Sequence, residues 1–528
     1  MKRKFLIVRF SSLGDIILAS ACILNLKINF PESHIVFLTK ERFKNLAATF
    51  DGVDEIVCLP EDAGTLDYYR LLNRLDNYNF DTVVDLHGNF RSWLAGRMIT
   101  SNRLVVYPKR RLERVNIVRT KQIPLSWPHT IDLYNDIVKQ LGGKVYARRP
   151  VIKSGRKKEI NSISFASGNK YVFFAPGATH ANKQWGLDNF AEVAFQLHEK
   201  FGCKIIWSVL NPDMGQTNLK ERIPAEDFFE LVDYPVEELK EIIAQSELTI
   251  ANDSGLAHLS SAVGTPTLVV FGPTHPALGF APRGLFDRVV EVDEPCRPCS
   301  LHGKKPCYRE KRFCFTRIEP ETMLEQAAEI LQSGINKYPA LFIDRDGTIM
   351  VDKDYLSDPD KIEFENGAVE ALRLARENGF KIIIVSNQSG VARGFFSLES
   401  VEQMNAHLLE MLSAEGVEID GLYYCPHYPY GKVSELAYEC RCRKPAAGMP
   451  EEAAKTFGID LRRSVVIGDT FKDFNLGRVL GVDSFLVRTG YGRQTEQKIK
   501  ISLINDKNIA FDNLLEAVKY IVKERIHD

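Results

Sequence analysis

Two aspartates separated by one residue, Asp344 and Asp346, follow an apolar run at residues 340–344 that is typical of a buried strand. The first carboxylate could attack phosphorus and the second could protonate the leaving oxygen, while Gly347 permits a tight turn. Ligands bind beyond the carboxyl ends of the strands in parallel sheets, so the pair stands where a phosphate site is expected. A calcium site or a simple turn can have the same short pattern.

Two later segments supply groups that could hold and neutralise a phosphate. The predicted strand 381–386 leads into Ser386-Asn387-Gln388-Ser389-Gly390, whose hydroxyl and amide donors could bind phosphate oxygens. Lys444 would neutralise charge on an aspartyl-phosphate adduct, although alone it is typical of an ordinary surface lysine. These segments favour phosphoryl transfer over the other interpretations of the aspartate pair.

Further acidic residues follow the predicted strand 464–468, namely Asp469 and then Asp473. Mg²⁺ prefers hard oxygen ligands, which Asp344, Asp469 and the Asp346 carbonyl would provide. The sequence therefore predicts a Mg²⁺ site shared by the ends of two strands.

A second metal site is predicted between these segments. Cys425 and His427 form a C-x-H pair, and Cys440 and Cys442 follow as C-x-C after twelve residues. Three thiolates and one imidazole are typical of a closed, structural Zn²⁺ site, and the zinc would hold the loop that delivers Lys444. Free core cysteines are the alternative.

These motifs resemble, in order, the four motifs of the haloacid dehalogenase (HAD) superfamily of phosphatases: residues 344–349, Ser386, Lys444 and Gly468-Asp469. The zinc loop and residues 386–394 resemble the D-glycero-D-manno-heptose 1,7-bisphosphate phosphatases. That resemblance implies hydrolysis of the 7-phosphate, with Asn387, Arg393 and Arg443 binding the substrate. Histidinol-phosphate phosphatases have a similar zinc loop, so the substrate stays open.

The first third of the chain has its own candidate catalytic group. A predicted strand at residues 5–10 leads into Ser-Ser-Leu-Gly-Asp, which places Asp15 in the first turn of a predicted helix. The helix dipole keeps a carboxylate ionised there, which suits a base that deprotonates a sugar hydroxyl. From this residue alone, a helix-capping role is the preferred interpretation.

The middle third carries groups that could bind a diphosphate. The predicted strand 248–251 leads into residues 252–258, where Ser254 and the backbone N–H groups of a helix start form a natural cradle. Lys183 follows a glycine turn after the predicted strand 171–175 and could balance the charge of a departing nucleotide diphosphate.

These N-terminal motifs resemble the lipopolysaccharide heptosyltransferases of glycosyltransferase family 9, which have two Rossmann-like domains of the GT-B type. The resemblance implies that Asp15 is the general base and that Lys183 contacts the donor phosphates. The nucleotide-sugar would be surrounded by Asp253, Ser254, Gly255 and His258. The implied partners are a nucleotide-activated heptose and a lipopolysaccharide core acceptor at the inner membrane surface. A catalytically silent sugar-nucleotide-binding module is the alternative.

Four further cysteines follow a C-x2-C-x7-C-x6-C spacing: Cys296, Cys299, Cys307 and Cys314. Four thiolates could bind Zn²⁺ or an iron–sulfur cluster. The spacing is less regular than that of a zinc ribbon, and reduced thiols without a ligand are the competing interpretation.

Short apolar runs alternate with helical patterns along the whole chain, which predicts parallel, doubly wound α/β sheets. We expect GT-B domains at residues 1–160 and 161–335, followed by a HAD-type phosphatase domain with the zinc loop at residues 338–528. The unit boundaries fall at the polar, basic segment 153–161 and near residues 336–339.

Composition narrows the functional classes. The chain has 528 residues, 45% hydrophobic and 26% charged, with a formal net charge of −1, which is typical of a globular protein and gives no argument for a nucleic-acid partner. A DNA 3′-phosphatase is disfavoured for this reason. No apolar run of about 18 residues occurs, so we expect a cytoplasmic protein without a transmembrane segment that can meet the membrane surface.

Overall fold

The computed structural model describes residues 3–155, 159–160, 163–165, 168–209, 217–502 and 509–526. The chain divides into two compact units, Met1–Gln332 and Ser333–Asp528. The first unit holds two large sheets and the second holds one. The predicted division of the first unit near residue 160 stays a prediction.

The first sheet has five parallel strands in the order β3-β2-β1-β4-β5. The strands are β1 (Lys4–Val8), β2 (His34–Lys40), β3 (Glu55–Leu59), β4 (Phe80–Asp85) and β5 (Ser101–Val106). The helices are α1 (Leu13–Asn29), α2 (Lys44–Ala47), α3 (Thr65–Asp76), α4 (Phe90–Met98), α5 (Arg111–Thr120) and α6 (Thr130–Gln140). The central strand β1 reads as an unbroken apolar run because helices cover both faces of a parallel sheet.

The second sheet has six parallel strands in the order β10-β9-β8-β11-β12-β13, preceded by the antiparallel pair β6 (Glu159–Ile160) and β7 (Ile163–Ser164). Its strands are β8 (Tyr171–Ala175), β9 (Lys204–Val209), β10 (Phe228–Val232), β11 (Leu248–Asn252), β12 (Thr267–Val270) and β13 (Arg288–Val290). The helices are α7 (Leu187–Phe201), α8 (Leu219–Arg222), α9 (Val236–Ala244), α10 (Gly255–Val263), α11 (Phe313–Thr316) and α12 (Pro320–Gln332).

The second unit contains a six-stranded parallel sheet in the order β16-β15-β14-β17-β18-β19. Its strands are β14 (Ala340–Ile343), β15 (Lys381–Asn387), β16 (Gly421–Cys425), β17 (Val465–Gly468), β18 (Asp483–Val487) and β19 (Ala510–Phe511). The helices are α13 (Ala368–Glu377), α14 (Gly390–Arg393), α15 (Leu398–Ala414), α16 (Gly448–Phe457), α17 (Phe471–Leu480), α18 (Gly492–Ser502) and α19 (Leu514–Ile526).

Strand order decides which loops meet in the second unit. The first strand, β14, pairs with β15 on one side and β17 on the other. Successive strands are added on one side of β14 up to β16 and on the other side from β17 onward, and such a switch point leaves a crevice beyond the carboxyl ends of the strands. The loops that follow β14, β15 and β17 therefore open onto one another.

The predicted fold class is confirmed, since all three large sheets are parallel and their strands alternate with helices. Within the described part of the chain, no helix has both the length and the apolar character needed to span a membrane.

Candidate functional site

A buried lysine connects two carboxylates at the switch point of the second unit. Lys444 Nζ lies 2.8 Å from Asp344 Oδ1 and 2.5 Å from Asp473 Oδ1. The ammonium also donates a hydrogen bond to the carbonyl of Val385, at 2.7 Å. The Lys444 side chain is only 1% exposed, so its charge is held almost entirely by these three oxygens. The ammonium is thereby fixed beside Asp344, directly after β14.

The backbone of Lys444 is held by Asn387. The Asn387 side-chain amide donates to the Lys444 carbonyl at 3.2 Å, and the Lys444 N–H donates to Asn387 Oδ1 at 3.0 Å. We predicted that Asn387 binds substrate, but both of its polar side-chain atoms are engaged here. Its contacts position the lysine loop on the end of β15.

Three carboxylates gather at the same place. Asp344, Asp469 and Asp473 each offer an oxygen within 4.8 Å of the other two. Asp469 Oδ2 accepts from the N–H of Tyr491 at 2.7 Å, whereas Asp469 Oδ1 is buried without a hydrogen-bond partner among the described residues. A buried carboxylate oxygen of this kind fits a hard divalent cation such as Mg²⁺. Sequence reasoning named Asp344 and Asp469 as ligands and omitted Asp473.

Asp346 points to a different set of partners. The Arg345 guanidinium donates to both carboxylate oxygens, from Nε at 3.2 Å and from Nη2 at 3.0 Å. Gln388 Nε2 donates to Asp346 Oδ2 at 2.8 Å, and the Ser386 hydroxyl lies 3.4 Å from the same oxygen. The structure therefore brings the predicted acid–base residue and the predicted phosphate-binding serine together through Gln388, which we expected only as one of the donors to phosphate.

The carboxylates of this cluster differ in their affinity for protons. Burial, together with the charge of Asp473, raises the pKa of Asp344 well above its usual value and that of Asp469 to about 7. Burial acts to raise the pKa of Asp346 as well, but the Arg345 guanidinium and the hydrogen bonds outweigh it and lower that pKa. Paired carboxylates with divergent pKa values are typical of sites that use an acid and a base.

The four predicted zinc ligands converge. Cys425 Sγ lies 3.4 Å from Cys440 Sγ and 3.3 Å from Cys442 Sγ, and His427 Nδ1 lies 3.3 Å from Cys442 Sγ. The Tyr438 hydroxyl lies 2.6 Å from His427 Nε2, which leaves Nδ1 to face the sulfurs. Sulfur and nitrogen atoms at these separations fit a tetrahedral Zn²⁺.

Two arginines that we expected near the substrate share one aromatic ring. The Arg393 and Arg443 guanidinium carbons lie 4.0 and 5.2 Å from the centre of the Tyr428 ring. Arg443 Nη1 also donates to the carbonyl of His427 at 3.0 Å. The zinc loop thus supports both cationic groups through Tyr428, another residue that sequence reasoning missed.

The first unit contains a cavity of about 470 Å³, which we call the first-unit cleft. Its lining includes every site residue predicted for this half of the chain: Asp15, Lys183, Asp253, Ser254, Gly255 and His258. Residues from the end of β1 and from the end of β11 therefore face one space.

Asp15 lies in the first turn of α1 and has two kinds of partner. Its Oδ2 accepts from the Ser12 N–H at 3.1 Å and from the Ser12 hydroxyl at 2.9 Å, which is a helix-capping arrangement. The same oxygen lies 2.6 Å from Arg9 Nη2. Burial acts to raise the pKa of Asp15, but Arg9 and the Ser12 hydrogen bonds lower it overall. Asp15 is thus both a cap and an ionised group that lines the cleft.

Lys183 and Asp253, which also line the cleft, form an ion pair with Nζ 2.6 Å from Oδ2. The Thr274 hydroxyl donates to the same oxygen at 2.7 Å. Ser254 Oγ and His258 Nδ1 are buried at the start of α10 without a hydrogen-bond partner in the described part of the chain. Unpaired polar atoms facing a cleft fit a polar ligand such as a diphosphate.

Three family models match parts of the chain. Glycosyltransferase family 9 (heptosyltransferase) matches residues 68–311. Polynucleotide kinase 3 phosphatase matches residues 340–478, and a HAD-hydrolase-like model matches residues 441–517.

Two curated relatives and one solved structure resemble the two units. The D-glycero-beta-D-manno-heptose-1,7-bisphosphate 7-phosphatase of Yersinia pestis is 40% identical over 153 residues, which is 29% of this chain and 81% of the relative. The Haemophilus ducreyi enzyme of the same name is 38% identical over 184 residues, or 34% of this chain and 97% of the relative. A family 9 glycosyl transferase from Veillonella parvula has a TM-score of 0.52 and 17% identity, covering 63% of this chain and 98% of that one. At that identity, the last likeness shows the fold alone.

Proposed function

The chain belongs, over its C-terminal third, to the family of heptose-1,7-bisphosphate 7-phosphatases and also carries a glycosyltransferase family 9 domain, and we propose that it is a bifunctional enzyme of heptose metabolism. The second unit removes the 7-phosphate from a D-glycero-D-manno-heptose 1,7-bisphosphate. The first unit transfers heptose from a nucleotide-activated donor to a lipopolysaccharide core acceptor.

The phosphatase proposal depends on one observation, the buried cluster of Lys444 with Asp344 and Asp473. In this mechanism Asp344 attacks phosphorus in line and forms an aspartyl-phosphate, while Lys444 balances the added charge. Asp346 protonates the departing sugar oxygen and then takes a proton from the water that hydrolyses the adduct. The Ser386 hydroxyl lies beside Asp346 and binds a phosphoryl oxygen.

The carboxylates of Asp344, Asp469 and Asp473 would hold Mg²⁺ together with the Asp346 carbonyl, and neutralisation of the phosphoryl charge is the chemistry that this ion supplies. Arg393 and Arg443 carry guanidinium forks suited to the substrate phosphates. Zn²⁺ bound by the Cys425–Cys442 loop would have a structural role, because its four ligands leave no open position.

Phosphate release from pure substrates tests the phosphatase proposal. We expect the full chain to cleave α- or β-heptose 1,7-bisphosphate with a kcat/KM at least about 100-fold above that for histidinol phosphate or a 3′-phosphorylated oligonucleotide. The Asp344→Asn variant serves as the blank. Preference for histidinol phosphate would favour the alternative function, and preference for the oligonucleotide would favour the activity suggested by the polynucleotide phosphatase match.

The transferase proposal depends on the convergence of Asp15 and Lys183 on the first-unit cleft. Asp15 is the base that deprotonates the acceptor hydroxyl, and transfer inverts the anomeric carbon. Lys183, with the start of α10, balances the charge of the departing nucleotide diphosphate. The acceptor would be met at the inner face of the membrane.

Heptose transfer by the Asp15→Ala variant tests this second activity. We expect transfer to a lipid-linked core acceptor to be lost while phosphate release by the same preparation is unchanged. Because phosphate release monitors the amount of intact protein, it is an internal control. Full transfer by Asp15→Ala would contradict the base assignment, and absence of transfer by the wild-type chain would favour a silent sugar-nucleotide-binding module.

A further inference from the structure

Four cysteines of the first unit line one small cavity. Cys296, Cys299 and Cys307 lie in the segment between β13 and α11, and Cys314 lies on α11. The cavity has a volume of about 20 Å³, which is enough for a single water-sized occupant. None of the four thiols forms a disulfide. Residues separated by up to 18 positions in sequence therefore direct the same chemical group at one space.

The thiols have weak partners in the protein. Cys299 Sγ and Cys307 Sγ lie 3.6 and 3.9 Å from backbone carbonyl oxygens. Arg309 Nη1 lies 3.9 Å from Cys296 Sγ. Contacts of this length are long for hydrogen bonds, so the protein itself holds the sulfurs only weakly.

The spacing of these sulfurs differs from that of the cluster in the second unit. Among the described residues, the ligand atoms of Cys425, His427, Cys440 and Cys442 all lie within 4.8 Å of one another, whereas no three of the four first-unit sulfurs do so. Zn–S bonds of about 2.3 Å require close sulfurs. A single ion would therefore draw the four cysteines inward, whereas an iron–sulfur cluster would have to widen a cavity that now admits one water-sized occupant.

The segment enclosed by these cysteines forms one wall of the first-unit cleft. Leu301, His302 and Lys304 line the cleft. Gly303 adopts a φ of +73° and passes so close to Lys183 that an added Cβ would lie 2.3 Å from the lysine Cγ. The cleft wall and the lysine that faces Asp253 therefore pack against each other.

A second set of contacts ties the same segment to the turn that contains Lys183. Asn182 Nδ2 donates to the Lys305 carbonyl at 3.0 Å. Arg312 Nη1 donates to the carbonyls of Ala181 and Gln184 at 3.3 and 3.1 Å. Anything that fixes the cysteines would thus also fix residues 181–184.

We propose that Cys296, Cys299, Cys307 and Cys314 ligate a thiophilic metal centre, a zinc or iron ion or an iron–sulfur cluster, that holds residues 300–306 against Lys183. The site is separate from the carboxylate and zinc-loop clusters of the second unit. The proposal can be tested independently of heptose transfer, because metal content is measured without substrate.

Metal and acid-labile sulfide per chain test this site in the full-length protein, purified without oxygen or chelators. We expect Cys307→Ser and Cys314→Ser to lose one zinc or one iron, or about four iron with matching sulfide and visible absorbance, relative to wild type. Cys58→Ser, a change of an isolated thiol, should retain the wild-type content. Equal metal content in wild type and in both site variants would overturn the proposal.

Two further measurements keep the test decisive if those variants do not fold. The Cys440→Ser chain should still contain thiolate-bound metal after its own site is lost, and a metal-free Cys440→Ser chain would overturn the proposal. Removing the metal from the Cys440→Ser chain with a thiol-directed mercurial should accelerate tryptic cleavage after Lys304 severalfold. Cleavage at an unchanged rate would disprove the claim that the metal holds this segment.

Discussion

Asp469 has a pKa of about 7 because it is buried and lies beside Asp473. An aspartate in the unfolded chain titrates near pH 4, so between about pH 4 and pH 7 the folded protein binds more protons at this group than the unfolded chain does. In that window Asp469 therefore lowers the stability of the metal-free protein as the pH rises. A divalent cation binds the carboxylate form and offsets this effect.

The titration of Asp469 predicts a pH-dependent affinity for Mg²⁺. Below pH 7, each unit of pH should change the affinity by about tenfold or more, because Asp469 must lose a proton and burial also raises the pKa of Asp344, another proposed ligand. Calorimetric titrations between pH 6 and pH 8.5 measure this dependence. Asp358→Asn, a change of an exposed aspartate, should leave the profile unaltered. A flat profile over this range would contradict the assignment of Asp469 as a ligand that must lose a proton.

Asp346 shows the opposite behaviour, since Arg345 and Gln388 keep its pKa low despite burial. In the free protein it is a carboxylate, the form that accepts a proton from water. Binding of an anionic phosphate beside it would raise its pKa and allow it to donate a proton. The guanidinium therefore sets the balance between the two roles.

Replacing the guanidinium should shift the pH dependence of phosphate release. In Arg345→Met the pKa of Asp346 rises, so the base form is lost at a higher pH and the acidic limb of the kcat profile should move upward by about one unit or more. Arg345→Lys retains the charge and should shift the limb less. Identical limbs in wild type and Arg345→Met would show that Asp346 is not the titrating base.

Sequence reasoning could locate the strand-end carboxylates but not all of their neighbours. Asp344 and Asp469 follow apolar runs, which is a local signal. Asp473 lies in the first turn of α17. Its carboxylate accepts a hydrogen bond from the Thr470 N–H and lies close to that of Asp469. Gln388 reaches Asp346 only because β14 and β15 are adjacent. Such contacts depend on the order of the strands in the sheet, which cannot be derived from a short stretch of sequence.

At the scale of elements, the predicted strands are mostly those in the middle of the sheets. The strand β8, for example, has an unbroken apolar sequence, and its predicted bounds, residues 171–175, agree with the structure. Seven strands of the three large sheets were not predicted: β3, β5, β10, β13, β16 and β19 lie at sheet edges, whereas β18 lies inside the third sheet. An edge strand keeps polar side chains, as Asn102 and Arg103 of β5 illustrate, so its apolar pattern is weak.

The zinc loop can be tested through Tyr438, which lies outside the ligand set. Its hydroxyl contacts His427 Nε2, and loss of such a contact typically weakens metal binding by about 10- to 100-fold. We expect Tyr438→Phe to weaken zinc binding to this extent, as measured by competition with a chromogenic chelator. Tyr430→Phe changes an exposed tyrosine of the same loop and is the matched control.

The catalytic consequence of zinc loss separates a structural role from a direct one. Lys444 follows Cys442 by two residues, so release of zinc should lower kcat for phosphate release, and added zinc should restore it in Tyr438→Phe. Unchanged kcat in a chain shown to be free of zinc at this loop would contradict the view that the loop positions Lys444.

At the scale of the whole molecule, the two proposed reactions are not consecutive. The phosphatase leaves a heptose 1-phosphate, whereas the transferase requires a nucleotide-activated heptose, so a nucleotidyl transfer must intervene. Each compact unit contains its own cluster of candidate site residues, at the first-unit cleft and at the β14 switch point. Direct passage of one product to the other site is therefore not expected.

Reciprocal variants of the full chain should separate the activities. Asp344→Asn removes the nucleophile and should lower phosphate release by on the order of 10⁴-fold or more, while heptose transfer stays within about twofold of wild type. Asp15→Ala should do the reverse. Both rates are measured on one preparation of each variant, so a loss confined to one activity cannot arise from poor folding of the whole chain. A large fall in transfer by Asp344→Asn would mean that the first unit depends on the chemistry of the second, which the separate charge clusters give no reason to expect.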